Sequence, residues 1–293
     1  MDRLLRKKRY ILFFVGPAFL LYAIFGLIPI LYNVYLSLFK TNLLKEGTFI
    51  GLNNYIYLFK DQFFIKALQN NLSFVLGCYI AHMGLALLLS NILFNKIKGS
   101  KLFQSVFFMP SVICGTAIGM LWMFIYHPNF GLVNSVLKAI GLGSYSNVWL
   151  SNEKTVIPAL IVATMWQYVG YHMVIQLAGM KNIDSDIYEA AAIDGANNGQ
   201  KFRKITFPLM KNILKIDSVL IVIGSLKLYD LVAVTTAGGP NHASEVISTY
   251  MFVQGFKVLK FGYSSSMATI LLLICIGVTL GINLVFRSDK VDF

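Results

Sequence analysis

Apolar residues fall in long blocks along this chain, neither alternating nor confined to a narrow helical stripe. Tyr10 to Phe39, Leu102 to Tyr126, Thr155 to Met180 and Phe261 to Phe286 contain no Asp, Glu, Lys or Arg. A helix needs about 20 apolar residues to cross a hydrocarbon core of ~30 Å, and each block exceeds that. Two further blocks have the same character. Leu72 to Phe94 has only His82 as an ionisable group, and Ile213 to Thr235 is apolar apart from Lys215, Asp217, Lys227 and Asp230. The pattern predicts an all-α polytopic membrane protein, a single transmembrane domain over residues 1–293 with six transmembrane helices. Their expected bounds are 10–38, 72–94, 102–126, 156–180, 213–235 and 263–286, with a cytoplasmic loop at 181–211.

Composition agrees with a lipid-facing chain. Of 293 residues, 57% are hydrophobic and 13% charged, against about a quarter charged in soluble domains; mean hydropathy is +0.67. Arg6, Lys7, Lys8 and Arg9 precede the first block, as in a signal peptide. The charge-free run is much longer than the roughly 7–15 residues of a signal core, and no small-residue cleavage site ends it. An uncleaved first helix is expected.

Lys and Arg also set the orientation. The amino terminus, Asn95–Lys101, Lys181–Lys211 and the carboxyl tail together hold 15. The opposite loops Lys40–Lys66, His127–Lys154 and Thr236–Lys260 hold 8. Both termini are therefore expected in the cytoplasm. The net charge of +12 reads as topology and attraction to anionic lipid; spread over several loops, it predicts no nucleic-acid partner.

Several chemistries have no footing. No G-x-x-x-x-G-K-[ST] phosphate loop occurs, so ATP is not expected to be bound or hydrolysed by this chain. His82, His127, His172 and His242 lack metal-ligand spacing, and no catalytic motif appears; neither metal nor catalytic residue is expected. Cys78, Cys114 and Cys275, an odd number inside expected spans, read as buried thiols packed as small hydrophobes. Asp217 and Asp230 are the only carboxylates near a span, whereas many proton-coupled carriers carry acidic relays in the membrane. A pump of this kind takes its energy from a partner.

The loop at 181–211 is the most informative segment. In Ser185-Asp186-Ile187-Tyr188-Glu189-Ala190-Ala191-Ala192-Ile193-Asp194-Gly195, Asp186 suits an N-cap with Glu189 three positions on. The alanines favour helix, and Gly195 ends it or turns the chain. Asn197 and Asn198 can cap a second, basic helix through Lys201, Arg203 and Lys204, and Pro208 stands near re-entry into the membrane. This order resembles the signature loop of importer-type ATP-binding-cassette permeases: E-A-A, three residues, G, nine residues, I-x-L-P. Glu189, Ala190, Ala191, Gly195, Ile205 and Pro208 fall in register, with Phe207 where the family usually has Leu. Leu226-Lys227-Leu228-Tyr229-Asp230, Thr235-Thr236-Ala237-Gly238-Gly239-Pro240 and Ile50-Gly51-Leu52-Asn53-Asn54-Tyr55 further resemble the carbohydrate branch, the maltose- and glycerol-phosphate-type permeases.

The resemblance implies an architecture. Two permease subunits, by family habit different chains, enclose a path across the bacterial inner or plasma membrane. Two ATP-binding-cassette subunits beneath them carry ATP and Mg, and an extracytoplasmic binding protein delivers a sugar. The 186–195 helix becomes the coupling helix, with Glu189 as its polar anchor. Sugars need hydrogen-bonding groups flanked by aromatic faces, and polar groups facing lipid are costly. Span four offers Thr164, Gln167, Tyr168 and Tyr171, and span five offers Gly224, Ser225 and Tyr229. Family habit places the sugar site on these two helices. Plain helix–helix packing is the bland reading of the same residues. Lys227 and Asp230, three apart, suit an ion pair on one helical face or an outer gate.

Three other functions remain open on sequence. A permease for a non-sugar solute keeps the architecture and changes the cargo. A secondary transporter leaves the Glu189–Pro208 loop without a role. A membrane-embedded enzyme needs a His, Asp or Glu cluster at one membrane face, which the sequence does not supply.

Overall fold

Lys8 to Leu36 winds into one long apolar helix: α1 (Lys8–Tyr22), a wider π turn (Ala23–Leu27) and α2 (Ile28–Leu36). The computed structural model describes residues 8–42, 47–95 and 98–286. Arg3, Arg6, Lys7, Lys45, Lys96, Arg287 and Lys290, all used to orient the chain, lie outside the described residues. None of the apolar window within this first helix is buried, as a lipid-facing span requires.

The chain forms two compact units, residues 1–62 with 251–272, and 63–250 with 273–293. In the first, a two-stranded antiparallel ribbon pairs β1 (Phe39–Lys40) with β2 (Thr48–Phe49), in the register Phe39 opposite Phe49. Next comes α3 (Asn53–Leu58). Asn54 explains the I-G-L-N-N-Y segment: its Nδ2 donates to the carbonyls of Ser37 and Phe39, fixing the turn after the first span.

The second unit contains the elements that build the site. α4 (Gln62–Phe94) is a 33-residue helix. It begins ten residues before the expected span, because Asn70 and Asn71, which look out of place in lipid, are buried and satisfied by other segments. Span three breaks. α5 (Ser100–Phe108), a 3₁₀ turn (Met109–Val112) and α6 (Gly115–Ile125) meet at a 100° bend instead of one rod over 102–126. Cys114, expected inside a span, sits exposed at this break. Outside the membrane blocks, α7 (Leu132–Ala139) is stapled by Asn134, which accepts from Trp149 Nε1 at 2.8 Å and donates to the Pro128 carbonyl.

α8 (Val156–Lys181) is the central helix: 14 of its 26 residues are buried. α9 (Ser185–Ile193), α10 (Asn198–Lys201), a π turn (Phe202–Thr206) and α11 (Phe207–Leu209) form the loop to span five. Span five is α12 (Lys211–Leu226), interrupted at 227–229 and resumed as α13 (Asp230–Thr235). α14 (Ile247–Phe252) and α15 (Phe261–Val285) complete the order.

Among the described residues, four helices are long and apolar enough to cross a membrane, or five with the bent pair as one span. α8 has the length without the apolarity, because it carries Gln167, Tyr168, Tyr171, His172 and Gln176. The six expected blocks are thus all helical, but two are interrupted and one is polar at mid-length.

Candidate functional site

The polarity of α8 has a destination. Thr164, Gln167, Tyr168 and Tyr171 on α8, with Gly224, Ser225, Lys227, Tyr229 and Asp230 around the end of α12, line one cavity of about 350 Å³. All seven proposed path residues and both proposed gate residues are brought together. His82 from α4 and His172 from α8, not assigned to the path, also line the cavity, with Gly115, Leu220, Ile221, Leu228 and Leu231.

Their available chemistry differs. The Thr164 and Ser225 hydroxyls donate to carbonyls one turn back in their own helices, at 2.8 Å each, the local bond that such residues make inside helices. Gln167 gives its Nε2 to the Ile113 carbonyl at 3.1 Å, a group freed by the break in span three. Among the described residues no hydrogen bond engages the Tyr168 or Tyr171 hydroxyl, and Tyr171 is 36% exposed.

The expected ion pair between Lys227 and Asp230 is not formed among the described residues. The i, i+3 rule requires continuous helix, and α12 ends at Leu226. Instead Asp230 packs beside Gly115, where an added Cβ would lie 2.9 Å from the Asp230 Cβ. Both charged side chains are exposed and line the cavity.

The interruption at 227–229 frees carbonyls within an apolar span, where each needs a partner. Asn71, fully buried, supplies them: Nδ2 reaches Leu226 O at 3.2 Å and Ser225 O at 3.5 Å, while Oδ1 accepts from Ile247 N at 2.8 Å. Asn70 similarly donates to the Glu245 carbonyl at 2.8 Å. Sequence reasoning missed both asparagines; adjacent Asn residues at the edge of an apolar block were the available signal. The G-G-P segment leads into Ala243–Tyr250, which is buried, so only its flanks present surface.

In the loop that joins α8 to α12, helix forms over Ser185–Ile193, against the expected 186–195. Its N-cap is Asp184, whose carboxylate accepts from Asp186 N at 3.0 Å; Asp186 lies in the first turn, correcting the expected cap by two residues. Gly195 takes a left-handed φ of +77°, the conformation a helix-ending glycine provides. Asn197 and Gln200 form a reciprocal capping box on α10. None of the nine residues of α9 is buried, and Ile193 is 87% exposed. Glu189, Ala190, Gly195 and Pro208 are exposed and Ala191 half-buried. Tyr188 alone reaches inward strongly, its hydroxyl 2.9 Å from Thr206 Oγ1 and its ring 5.4 Å from that of Phe94.

Residues 73–288 match the model of the family described as binding-protein-dependent transport system inner membrane component. The chain belongs to this family. It is similar to the probable ABC transporter permease protein YurN of Bacillus subtilis strain 168, 37% identical over 280 residues, covering 94% of this chain and 96% of that one. It is also similar to the lactose transport system permease protein LacF of Rhizobium radiobacter, 33% identical over 266 residues, covering 89% and 88%. In fold it resembles a crystal structure of a bacterial alginate ABC transporter in complex with alginate pentasaccharide-bound periplasmic protein. The TM-score is 0.82 at 21% identity, over 96% of this chain and 95% of that one. The chain is thus the membrane-embedded translocation subunit of an ABC importer, not an enzyme, and ATP hydrolysis belongs to separate subunits.

Proposed function

We propose that this permease carries a sugar or oligosaccharide through the cavity on spans four and five, driven through α9. One observation carries the reading: every residue singled out for hydrogen bonding or stacking to a sugar faces the same 350 Å³ space. That volume is near the lower end of ligand pockets, about 300–1,000 Å³. Tyr168 and Tyr171 offer aromatic faces and hydroxyls, Asp230 accepts from sugar hydroxyls, and Lys227 donates. Thr164, Ser225, Gln167 and Gly224 shape the wall, and Tyr229 closes it at the break. The lactose relative supports a saccharide cargo over other solutes.

The partners follow. A second permease subunit of different sequence completes the path, and two ATPase subunits hold ATP and Mg. An extracytoplasmic binding protein delivers the cargo, as in the alginate transporter complex. The exposed α7 region at 129–152 suits its docking. The protein spans the bacterial inner or plasma membrane with both termini in the cytoplasm, the side given by the Lys and Arg count.

Coupling runs through α9. Its exposed Ile187 and Ile193 and small Ala190 and Ala192 suit a cleft on an ATPase, with Glu189 as polar anchor, Asp184 and Gly195 at its ends and Pro208 further on at the approach to span five. The test reconstitutes the permease with its partner subunits and binding protein. ATP hydrolysis and uptake of labelled lactose, maltose and xylose are compared for native protein and Glu189→Lys. Saccharide-stimulated hydrolysis that collapses in an assembled Glu189→Lys complex supports the reading. Uptake without ATP, or indifference to Glu189→Lys, contradicts it and favours a secondary carrier.

A further inference from the structure

Directly beside the cavity lies a buried charged cluster that cargo contact does not explain. Asp217 on α12 is 0% exposed. His172 Nδ1 stands 2.7 Å from its Oδ1, and Gln176 Nε2 donates to its Oδ2 at 2.6 Å, both from α8. His172 and Gln176 are 5% and 0% exposed. His172 lines the cavity; Gln176 and Asp217 do not. The His82 ring lies 5.0 Å from that of His172, and His82 Nε2 meets the Thr164 carbonyl at 3.2 Å.

A carboxylate inside a membrane bundle is expensive unless paired and hydrogen-bonded. Both partners of this one come from a single neighbouring helix. The contact between those two helices continues toward the cytoplasmic loop. Gly179 on α8 abuts Ile213 on α12, and Met180, Met210 and Leu214 pack together below. The chain of contacts reaches α9 through the Tyr188–Thr206 bond.

We propose that His172, Gln176 and Asp217 form a latch that makes spans four and five one lever. The latch ties the cytoplasmic halves of the two helices from the coupling loop up to the cavity floor. Movement of α9 then displaces both walls together, and the flexible point is the 227–229 interruption, capped by Asn71. These three side chains act on the cavity walls and are positioning residues. The inference rests on the reading that α9 receives the stroke of the ATPase.

The test needs no knowledge of the cargo. In an assembled complex whose Cys78, Cys114 and Cys275 are replaced by alanine, Tyr171→Cys is labelled from outside with a membrane-impermeant maleimide. The rate is compared with and without ATP and vanadate. An occupancy switch between two states is expected to change it roughly tenfold or more. Asp217→Asn is expected to cut that change to below about twofold, while vanadate still traps nucleotide on the ATPases. An unaltered change in Asp217→Asn overturns the latch.

A second arm is independent of how well Asp217→Asn folds. A Cβ at position 179 would lie 3.1 Å from the Ile213 Cβ, close to the ~3.8 Å of a disulfide. A closed disulfide in Gly179→Cys/Ile213→Cys is expected to leave the ATP-dependent change intact, because the two spans travel together. Loss of the change on closing it means that the spans part during the cycle, and the lever is wrong. Glu189→Lys separates the two levels. If it leaves the change intact, the α9 reading fails; if it removes the change while Asp217→Asn does not, only the latch fails.

Discussion

Gln167 joins the cavity to the broken span three: its amide holds the Ile113 carbonyl. Gln167→Leu strands that part-buried carbonyl, at a cost of at most the roughly 1–3 kcal/mol of a fully buried unsatisfied group. The expected outcome is a lower thermal unfolding temperature of the purified complex, with Gln167→Glu worse than wild type because a carboxylate cannot donate. An unchanged transition for Gln167→Leu would show that water or lipid headgroups satisfy the break. Gly170 marks the same contact from the other side, since a Cβ there would run into the Phe107 carbonyl. Gly170→Ala is expected to reduce assembled complex on a native gel more than Gly84→Ala, where the added methyl meets open space. At this scale the sequence was readable wherever a polar side chain was too expensive to be idle in lipid, as for Tyr168 and Tyr171. It was unreadable where polarity serves a backbone break, as for Asn70 and Asn71, because a break is a tertiary event with no fixed spacing.

Among the elements, the interruption of span five matters most. Lys227 and Asp230 were expected to pair by helical spacing, and the loss of helix after Leu226 removes that geometry. Neither composition nor periodicity announces the break, since Leu226 to Thr235 reads as continuous apolar helix apart from the two charges. Its support is Asn71, which holds the two end carbonyls and the Ile247 amide. Asn71→Leu removes three bonds at once and is expected to lower uptake roughly tenfold or more with nucleotide trapping retained; each 1.4 kcal/mol is a factor of ten. Unimpaired uptake in Asn71→Leu would mean that the interruption is not needed in its present form. α9 was legible in advance because its motif is local: capping, alanines and a turn glycine lie within one segment. Only the cap moved, from Asp186 to Asp184. Gly195→Val forces a branched side chain into a left-handed turn, costing about 1–2 kcal/mol, and is expected to weaken binding of the ATPase subunits in a pull-down.

For the whole molecule, block length and charge bias carried the fold class, and the family match bears it out. The kinks could not be read the same way, because a bent span and a straight one have the same hydropathy. The Lys and Arg distribution carries the proposed sidedness. Ser144 and Ser185 are both exposed and should lie on opposite sides. In a cysteine-free background, Ser144→Cys is expected to react with an impermeant maleimide in intact cells, and Ser185→Cys only in inverted vesicles. The reverse pattern would overturn the orientation.

The account stands or falls on whether cargo passes the cavity of α8 and α12. The most direct measurement is uptake of labelled lactose, maltose and xylose by proteoliposomes holding the complete transporter, its permease carrying Tyr171→Cys in a cysteine-free background. Uptake is read before and after thiol labelling with a bulky maleimide. The prediction is that labelling abolishes uptake, and that a transported saccharide slows the labelling. Full uptake after complete labelling would contradict the account.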